Sequence, residues 1–251
     1  MDSFLKINTE KLYAVIGDVH GCYYELKELI TNLQSKYGKD ILIISVGDNV
    51  DRGDYNLKTL DLCIELFNEG KFIEVQSNHM DKFVRWLKGS NVKISYGMQK
   101  TVDEFLNLPK TIQEQYRKKI IEYYSSAPLY VIVNKETVIA HAGIKDDMIG
   151  KTGKKVKSFV LYGQTTGRYT PEGFPERLDW TKERKLKANS PKIVYGHVVF
   201  QKPYINNKCY GIDTGCVFGN KLTAYIPQID TFEFVKAKKT YYTFDSLSWT
   251  T

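Results

Sequence analysis

Short apolar runs alternate with amphipathic stretches through the first third of the chain. Three apolar runs end close to glycine or serine, as buried strands do: 13–16, 41–46 and 72–75. The segments 23–36 and 57–68 between them carry apolar residues at the i, i+3, i+4, i+7 spacing of helices with one buried face. This alternation predicts an α/β architecture with parallel strands, whose carboxyl ends carry the ligand-binding loops.

The remainder of the chain is richer in strands. A charged helix is predicted over 113–124, and the apolar runs 129–133 and 137–140 flank Asn134 and Lys135 as the arms of a hairpin. Further strands are predicted at 193–195, 209–212, 222–226 and 232–235.

The stretch 150–189 has no clear periodicity and is rich in Gly, Thr, Lys and Pro, so it is predicted to form surface loops. Two groups of strands without a linker predict a single domain over 1–251, in which two sheets pack together. Within it, 227–251 is expected to form a C-terminal strand and a tail that packs on the rest.

Composition narrows the class of protein. The chain has 251 residues, of which 42% are hydrophobic, enough for a substantial core. No apolar run approaches the ~20 residues of a membrane-spanning helix, and the N-terminus shows no apolar segment typical of a signal peptide. Four cysteines without CxxC spacing are expected to be reduced thiols. We therefore expect a cytoplasmic protein with no membrane partner.

The net charge of +7 fits an anionic substrate such as a nucleotide, RNA or a phosphopeptide. Part of this charge lies in lysine-rich runs at 151–157, 182–187 and 236–239, for which a solvated surface is the simpler interpretation. The charge therefore does not select one substrate class.

All four histidines lie in short motifs with aspartate, asparagine or glycine. These motifs, with two more that lack histidine, are GDVHG at 17–21, GDNVDRG at 47–53, NH at 78–79, HAG at 141–143, GH at 196–197 and IDTG at 212–215. Carboxylate, amide and imidazole groups together suit manganese, iron, zinc or nickel. A chain with no other histidine is expected to use all four at one site.

The spacing of these residues predicts a centre with two metal ions. Asp18 and His20 are two residues apart and project to one side of an extended segment, so both can bind one ion. Asp48 follows the second strand as Asp18 follows the first, and its carboxylate can bridge two ions. The residues that can complete the second ion are Asn78, His141 and His197. Two ions ~3.5–4 Å apart can hold a hydroxide and clamp an in-line displacement at phosphorus.

Cleavage of a phosphoester also needs a cation for the phosphate oxygens and an acid for the leaving group. Arg52 offers a planar fork for bidentate phosphate binding. His79 follows a predicted metal ligand but points differently, so it is the predicted general acid, oriented by Asp51. Arg52 and Asn78 are the predicted substrate contacts.

In this order, the motifs resemble those of the calcineurin-like metallophosphoesterases, in the phosphoprotein phosphatase branch, and the resemblance extends to about Ile226. Finer matches at 82–89, 161–167 and 210–219 resemble a bacterial group that includes the phosphatase module of an RNA-repair polynucleotide kinase-phosphatase and a small diadenosine tetraphosphatase. The resemblance implies two mixed β-sheets packed as a sandwich and flanked by helices.

The resemblance also implies two divalent ions, with manganese first and nickel, cobalt, iron or zinc as alternatives. The implied ligands of the first ion are Asp18, His20 and Asp48. Those of the second are Asp48, Asn78, His141 and His197. The other implied roles are phosphate binding for Arg52, proton donation for His79 paired with Asp51, and support of the metal ligands for Asp213.

The chain departs from the family pattern around His79. Ser77 stands where glycine is usual, Met80 where an acidic residue is usual, and Gln76 where many protein phosphatases have arginine. If the position of Ser77 needs a positive φ, serine costs roughly 1 kcal/mol there. Gln76 weakens the protein-phosphatase interpretation.

The sequence therefore predicts an enzyme, in which metal-bound hydroxide attacks the phosphoesters of nucleotides or RNA termini. The substrates considered are RNA ends with 2′-, 3′- or cyclic phosphate, and dinucleoside polyphosphates. A serine/threonine or tyrosine protein phosphatase is the alternative, and a non-catalytic regulatory protein with a decayed site is the competing class. In RNA repair, separate kinase or ligase chains would be partners, because the sequence has no such module.

Overall fold

The computed structural model describes residues 3–170 and 175–243. Within these ranges the strands are β1 Leu5–Ile7, β2 Tyr13–Ile16, β3 Leu42–Ser45, β4 Phe72–Glu74, β5 Tyr130–Val133, β6 Thr137–Ala140, β7 Thr165–Tyr169, β8 Pro175–Arg177, β9 Lys192–Tyr195, β10 Tyr204–Asn206, β11 Cys209–Gly211, β12 Lys221–Ile226 and β13 Thr231–Lys236. The helices are α1 Tyr23–Tyr37, α2 Asn56–Asn68, α3 Asn78–Leu87, α4 Met98–Leu106, α5 Lys110–Ser126 and α6 Lys154–Tyr162. Among the described residues, no helix combines the length and the apolar character needed to span a bilayer.

The first sheet has five strands in the order β13-β12-β2-β3-β4, of which β2, β3 and β4 are parallel. Each of these three strands is followed by a helix, α1, α2 or α3, so the predicted strand–helix alternation is confirmed. The helices bury Leu26, Leu60 and Phe83 in one apolar cluster. The carboxyl ends of the three parallel strands meet at one edge of the sheet.

The second sheet has six strands in the order β1-β5-β6-β9-β11-β10. The strands β5 and β6 form the predicted hairpin, and its turn residues Asn134 and Lys135 have φ values of 53° and 60°. Two successive positive φ values are typical of the type I′ turn, whose twist matches that of the strands. Because β6, β9 and β11 are parallel, their carboxyl ends also meet at one edge.

The two sheets pack face to face through apolar side chains, of which nine of the twelve buried ones are β-branched and three are tyrosines. The fully buried members include Val15, Ile44, Val75, Val131, Ile139 and Val194. Branched side chains fill the space between pleated surfaces well. The predicted fold class, two mixed sheets packed as a sandwich flanked by helices, is thereby confirmed.

The prediction of surface loops over 150–189 is wrong in part. Helix α6 lies within this stretch, and β7 pairs with β8 in a small separate sheet. Val156, Phe159 and Val160 bury one face of α6 against the second sheet. These three residues have the i, i+3, i+4 spacing of a helix. The pattern is short and is surrounded by lysines, so the helical period is weak in the sequence. Residues 171–174 lie outside the described residues.

The C-terminal segment contains β13, which pairs antiparallel to β12. Beyond it, Tyr241 is buried, and its hydroxyl donates to Glu25 Oε1 at 2.8 Å. The tail predicted over 227–251 is described as far as residue 243, and 244–251 lie outside the described residues. The assignment of 1–251 to one domain stays a prediction.

Candidate active site

The loops after β2 and β3, which carry predicted metal ligands, lie side by side at the carboxyl edge of the first sheet. The backbone N–H groups of Val19 and His20 donate to the carbonyl of Asp48 at 3.2 and 2.8 Å. His20 and Asp48 have φ values of 48° and 52°, in the left-handed region. Backbone strain of this kind persists only where the surrounding structure holds it in place.

Asp48 lies at the centre of the cluster. Its Oδ2 lies 3.4 Å from His141 Nε2 and 3.8 Å from His20 Nε2. Its Oδ1 accepts the backbone N–H of His79 at 3.0 Å. Burial alone would raise the pKa of Asp48, but His141 and His79 in their protonated forms hold it well below its usual range. One oxygen of a charged carboxylate therefore lies between imidazoles that come from different sheets.

Backbone carbonyls orient the two imidazoles beside Asp48. His20 Nδ1 donates to the carbonyl of Val50 at 2.7 Å, and His141 Nδ1 donates to that of Val46 at 2.9 Å. In these tautomers, which are assigned from the hydrogen bonds, each Nε2 carries a lone pair that faces the cluster. Metal-binding histidines commonly have this support on the opposite nitrogen.

A second set of lone pairs converges on His141. Asn78 Oδ1 lies 2.7 Å from His141 Nε2, and His197 Nδ1 lies 3.0 Å from the same atom. Burial, followed by the charge of Arg177, lowers the pKa of His197 well below its usual value, so this ring is neutral. Its buried Nε2 has no hydrogen-bond partner among the described residues. Lone pairs packed this closely favour a bound cation.

Asp18 and Asp213 add two more buried carboxyl groups. Asp18 accepts the backbone N–H of His197 on both oxygens, at 3.2 and 3.1 Å. Burial and the negative charges of Asp213 and Asp48 raise the pKa of Asp18 well above its usual value, and burial raises that of Asp213 to about 6. A Cβ at Gly196 would stand 1.9 Å from Asp18 Oδ1, so only glycine allows this contact. The crowding of negative charge is relieved where a cation binds.

His79 is oriented by residues on its outer side. Its Nδ1 lies 2.6 Å from Asp51 Oδ2, and Asp51 Oδ1 accepts the hydroxyl of Thr101 at 2.6 Å. The guanidinium of Arg52 reaches two rings, with Nη1 2.6 Å from His20 Nε2 and Nη2 3.0 Å from His79 Nε2. The carboxylate of Asp51 thus holds Nδ1, and Nε2 faces Arg52.

A second arginine, Arg177 at the end of β8, lies near the cluster, with its side chain exposed to solvent. Partial desolvation and the positive charge of Arg52 lower the pKa of Arg177, and the charge of Arg177 in turn lowers the pKa of His197. Its Nη1 donates to the carbonyl of Tyr162. Sequence reasoning missed Arg177 because it lies in the stretch that was predicted to be surface loops.

Every predicted site residue lies in or beside this cluster: Asp18, His20, Asp48, Asp51, Arg52, Asn78, His79, His141, His197 and Asp213. Two triads of donor atoms, His20–Asp48–His79 and Asp48–His141–His197, each fall within 4.8 Å and share Asp48. The donor set therefore fits two cations held on either side of one carboxylate.

The strain considered for Ser77 does not arise. Its φ is −137° and its ψ is 162°, an extended conformation that any residue adopts. The Ser77 hydroxyl instead accepts the backbone N–H of Asp48 at 2.8 Å and so helps to place the central carboxylate. Gln76, at the position of the missing arginine, donates its side-chain amide to the carbonyl of Ala127 at 2.9 Å.

A sandwich of two mixed sheets with a carboxylate–imidazole cluster at the strand ends defines a metal-dependent phosphoester hydrolase. The chain belongs to the calcineurin-like phosphoesterase family, whose profile matches residues 12–233. Members of this family use a centre of two divalent metal ions.

Relatives of similar length have a consistent name. The asymmetrical bis(5′-nucleosyl)-tetraphosphatase PrpE of Geobacillus sp. (strain WCH70) is 42% identical over 226 residues, which cover 86% of this chain and 91% of the relative. The protein of the same name from Bacillus subtilis (strain 168) is 39% identical over 228 residues, 87% of this chain and 92% of the relative.

Solved structures show the same fold. A structure described as a candidate diadenosine tetraphosphatase superposes with a TM-score of 0.70 at 18% identity, over 94% of this chain and 99% of that one. A protein serine/threonine phosphatase from Saccharomyces cerevisiae gives a TM-score of 0.61 at 16% identity, over 94% of this chain and 84% of its own.

Proposed function

We propose that the chain hydrolyses dinucleoside polyphosphates with two divalent cations bound in the cluster. The observation that carries this proposal is the position of Asp48 Oδ2, 3.4 Å from His141 Nε2 and 3.8 Å from His20 Nε2. Relatives about 40% identical over most of their length are named as bis(5′-nucleosyl)-tetraphosphatases, which supports this substrate class over phosphoproteins. Four buried free cysteines fit a reducing, cytoplasmic location.

The proposed ligands of the first ion are Asp18, His20 and Asp48, and those of the second are Asp48, Asn78, His141 and His197. Mixed oxygen and imidazole donors suit manganese, with nickel, cobalt, iron and zinc as alternatives. When bound, the two ions supply the positive charge that activates the attacking water and polarises the phosphoryl oxygens. Because donors come from both sheets, we further propose that residues 1–251 form one catalytic domain.

The remaining residues would bind the phosphate and move the proton. Arg52 offers its guanidinium, and Asn78 its amide, to the phosphoryl oxygens. Asp51 accepts the Nδ1–H of His79 at 2.6 Å and stabilises the imidazolium form, whose Nε2–H is the proton for the leaving oxygen. As the oxygen of water bonds to phosphorus, the bond between phosphorus and the bridging oxygen breaks, and that oxygen takes the proton from His79. The proton that the attacking water gives up passes to solvent, and His79 takes up a proton before the next turnover.

Separation of the products of diadenosine tetraphosphate tests the proposal. With manganese present, we expect AMP and ATP in equal amounts. Phosphorylated RNA ends and a phosphotyrosine peptide should be turned over with much lower kcat/KM. A higher kcat/KM on either of these substrates would replace the proposed one, and no turnover with any divalent metal would reject an enzyme.

A further inference from the structure

A groove leads away from the cluster along helix α3. It encloses about 350 Å³ and begins at Asn78, one of the proposed metal ligands. Its walls include Lys82 and Arg85 on α3, Lys93 and Tyr96 on the following loop, and Tyr162 at the end of α6. The groove is thus continuous with the proposed reaction centre, and none of the proposed roles uses its outer part.

Positive charge lines the groove. Asn78, Lys82 and Arg85 are spaced i, i+4, i+7, so they form one stripe that extends about 10 Å at the helical rise of 1.5 Å per residue. Lys82, Arg85 and Lys93 line the same groove. Burial lowers the pKa of Lys82, the negative charge of Asp51 opposes this effect, and the positive charges of Lys93 and Arg85 add to it. The described lining includes no carboxylate.

Asp81, the acidic side chain on α3 beside this stripe, already lies between two cations. Asp81 Oδ2 lies 3.7 Å from Arg85 Nη1, and its Oδ1 lies 3.8 Å from Lys157 Nζ. Positive charge therefore exceeds negative charge along the groove. A chain of phosphates has the opposite charge and the linear shape that this stripe would bind.

Two tyrosines stand beside these cations, and each is 42% exposed. Lys82 Nζ lies 5.6 Å from the centre of the Tyr96 ring. Gly97, next to Tyr96, accepts the backbone N–H of Arg52 at 3.0 Å, and a Cβ there would meet Arg52 Cγ at 2.5 Å. The carbonyl of Tyr162 accepts Arg177. The backbone at both tyrosines is therefore held beside an arginine, at Arg52 for Tyr96 and at Arg177 for Tyr162.

We propose that this groove binds the part of a dinucleoside polyphosphate beyond the cleaved bond, with phosphates along Lys82, Arg85 and Lys93. One base packs against Tyr96 or Tyr162, because aromatic rings stack on any base. This assignment rests on the proposed function and adds the residues that select a long nucleotide over a small phosphate ester. A small ester occupies the metal centre and Arg52 without filling the groove.

The test compares two substrates, diadenosine tetraphosphate and p-nitrophenyl phosphate. The double variant Lys82→Ala with Arg85→Ala should lose about 10- to 100-fold in kcat/KM on the dinucleotide, since two charged contacts to phosphate are removed. Tyr96→Ala and Tyr162→Ala should each lose about tenfold, and the Tyr→Phe variants should recover most of it because the ring remains. Losses on p-nitrophenyl phosphate should be far smaller.

Lys187→Ala is the matched control, because Lys187 is exposed and outside the groove; its kinetics should equal those of wild type on both substrates. Equal losses on both substrates, or an equal loss on a phosphotyrosine peptide, would overturn the groove assignment. So would wild-type kinetics of the groove variants on the dinucleotide, and the proposed function would then stand. If wild type cleaves p-nitrophenyl phosphate but not the dinucleotide, the proposed function fails and the groove assignment fails with it.

Discussion

The two sheets contribute unequal shares of charge to the same cluster. The loops after β2 and β3 bring three carboxyl groups, Asp18, Asp48 and Asp51, together with His20 and the cation Arg52, and the start of α3 after β4 brings Asn78 and His79. The loops after β6, β9 and β11 bring His141, the neutral imidazole of His197 and one carboxyl group, Asp213. The first sheet therefore supplies most of the charged groups of the site, whereas the second sheet adds two imidazoles and a single carboxyl group.

Backbone strain is also distributed unequally between the loops of the two sheets. Four site residues in first-sheet loops have positive φ values, from 48° to 74°: His20, Asp48, Asp51 and Arg52. Of the two second-sheet histidines, His197 has a positive φ. Each such residue stores of order 1–3 kcal/mol of strain. Most of the charged residues of the site and most of its strained backbone therefore lie in the loops after β2 and β3.

The largest expected effect comes from Asp48, whose carboxylate lies between His20 from the first sheet and His141 from the second. Asp48→Asn removes the charge between His20 and His141, so both cations should be lost and kcat should fall at least about 1000-fold. His197→Ala should remove one of the two cations and leave the first-sheet ion in place. Metal analysis of the purified proteins, together with kcat, measures both outcomes.

Asp61→Asn is the matched control, since Asp61 is exposed and pairs with Lys119 at 2.7 Å. It should keep wild-type metal content and activity. Retention of two ions by Asp48→Asn would show that the halves bind their ions independently, which contradicts the bridging role.

The next prediction tests whether His79, in the first turn of α3, donates a proton or binds a metal ion. His79 lies within 4.8 Å of the donor atoms of His20 and Asp48, so its geometry alone fits a ligand as well as an acid. As the acid, His79→Gln should slow phenyl phosphate by about 10²–10⁴-fold and p-nitrophenyl phosphate far less, because nitrophenolate leaves without a proton. Metal content should stay at the wild-type level.

Asp51→Asn should show the same dependence on leaving group with a smaller loss, because it acts through Nδ1 of His79. Equal losses on both esters would argue against proton donation. Loss of one ion from His79→Gln would make this residue a ligand.

The residues that the sequence predicted and the residues that it missed differ for a physical reason. Asp18, Asp48 and Asn78 each follow a strand with a clear apolar pattern, so their common edge could be inferred. Arg177 lies on a three-residue strand without such a pattern, in the stretch that was predicted to form loops. Thr101 contacts Asp51 only because α4 packs beside that loop, which is a tertiary fact with no local signal.

Substitution of Arg52, in a first-sheet loop, and of Arg177, on β8, tests how the two cations share phosphate binding. Arg52→Ala should lower kcat/KM by about 100-fold, since a bidentate phosphate contact is removed. Arg177→Ala should lower it by about tenfold, because Arg177 reaches the cluster near His197 and donates to Tyr162. Arg168→Ala, an exposed residue paired with Glu176, is the control and should match wild type. A larger loss at Arg177 than at Arg52 would reverse the proposed division of charge.

The smallest expected effect on activity comes from a carboxyl group under the first-sheet loops, and its main effect is on stability. Glu74 on β4 is buried, its Oε2 accepts the Tyr123 hydroxyl at 2.6 Å, and burial raises its pKa from 4.5 to about 7. The folded state therefore holds this proton more tightly than the unfolded chain does. Stability from this group is fully present below pH 4.5 and is lost as the pH rises to about 7.

A shift of this size corresponds to about 3 kcal/mol of unfolding free energy. Glu74→Gln keeps an acceptor for Tyr123 but cannot ionise, so between pH 5 and pH 8 it should lose less stability than wild type by most of that amount, in chemical denaturation. The exposed Glu69→Gln should follow wild type at both pH values. In the loop between β8 and β9, the buried Arg184 is already paired with Asp146 at 2.8 Å, so no comparable slope is expected from it. Equal slopes for wild type and Glu74→Gln would show that Glu74 ionises in the folded state as it does in the unfolded chain, which contradicts the raised pKa.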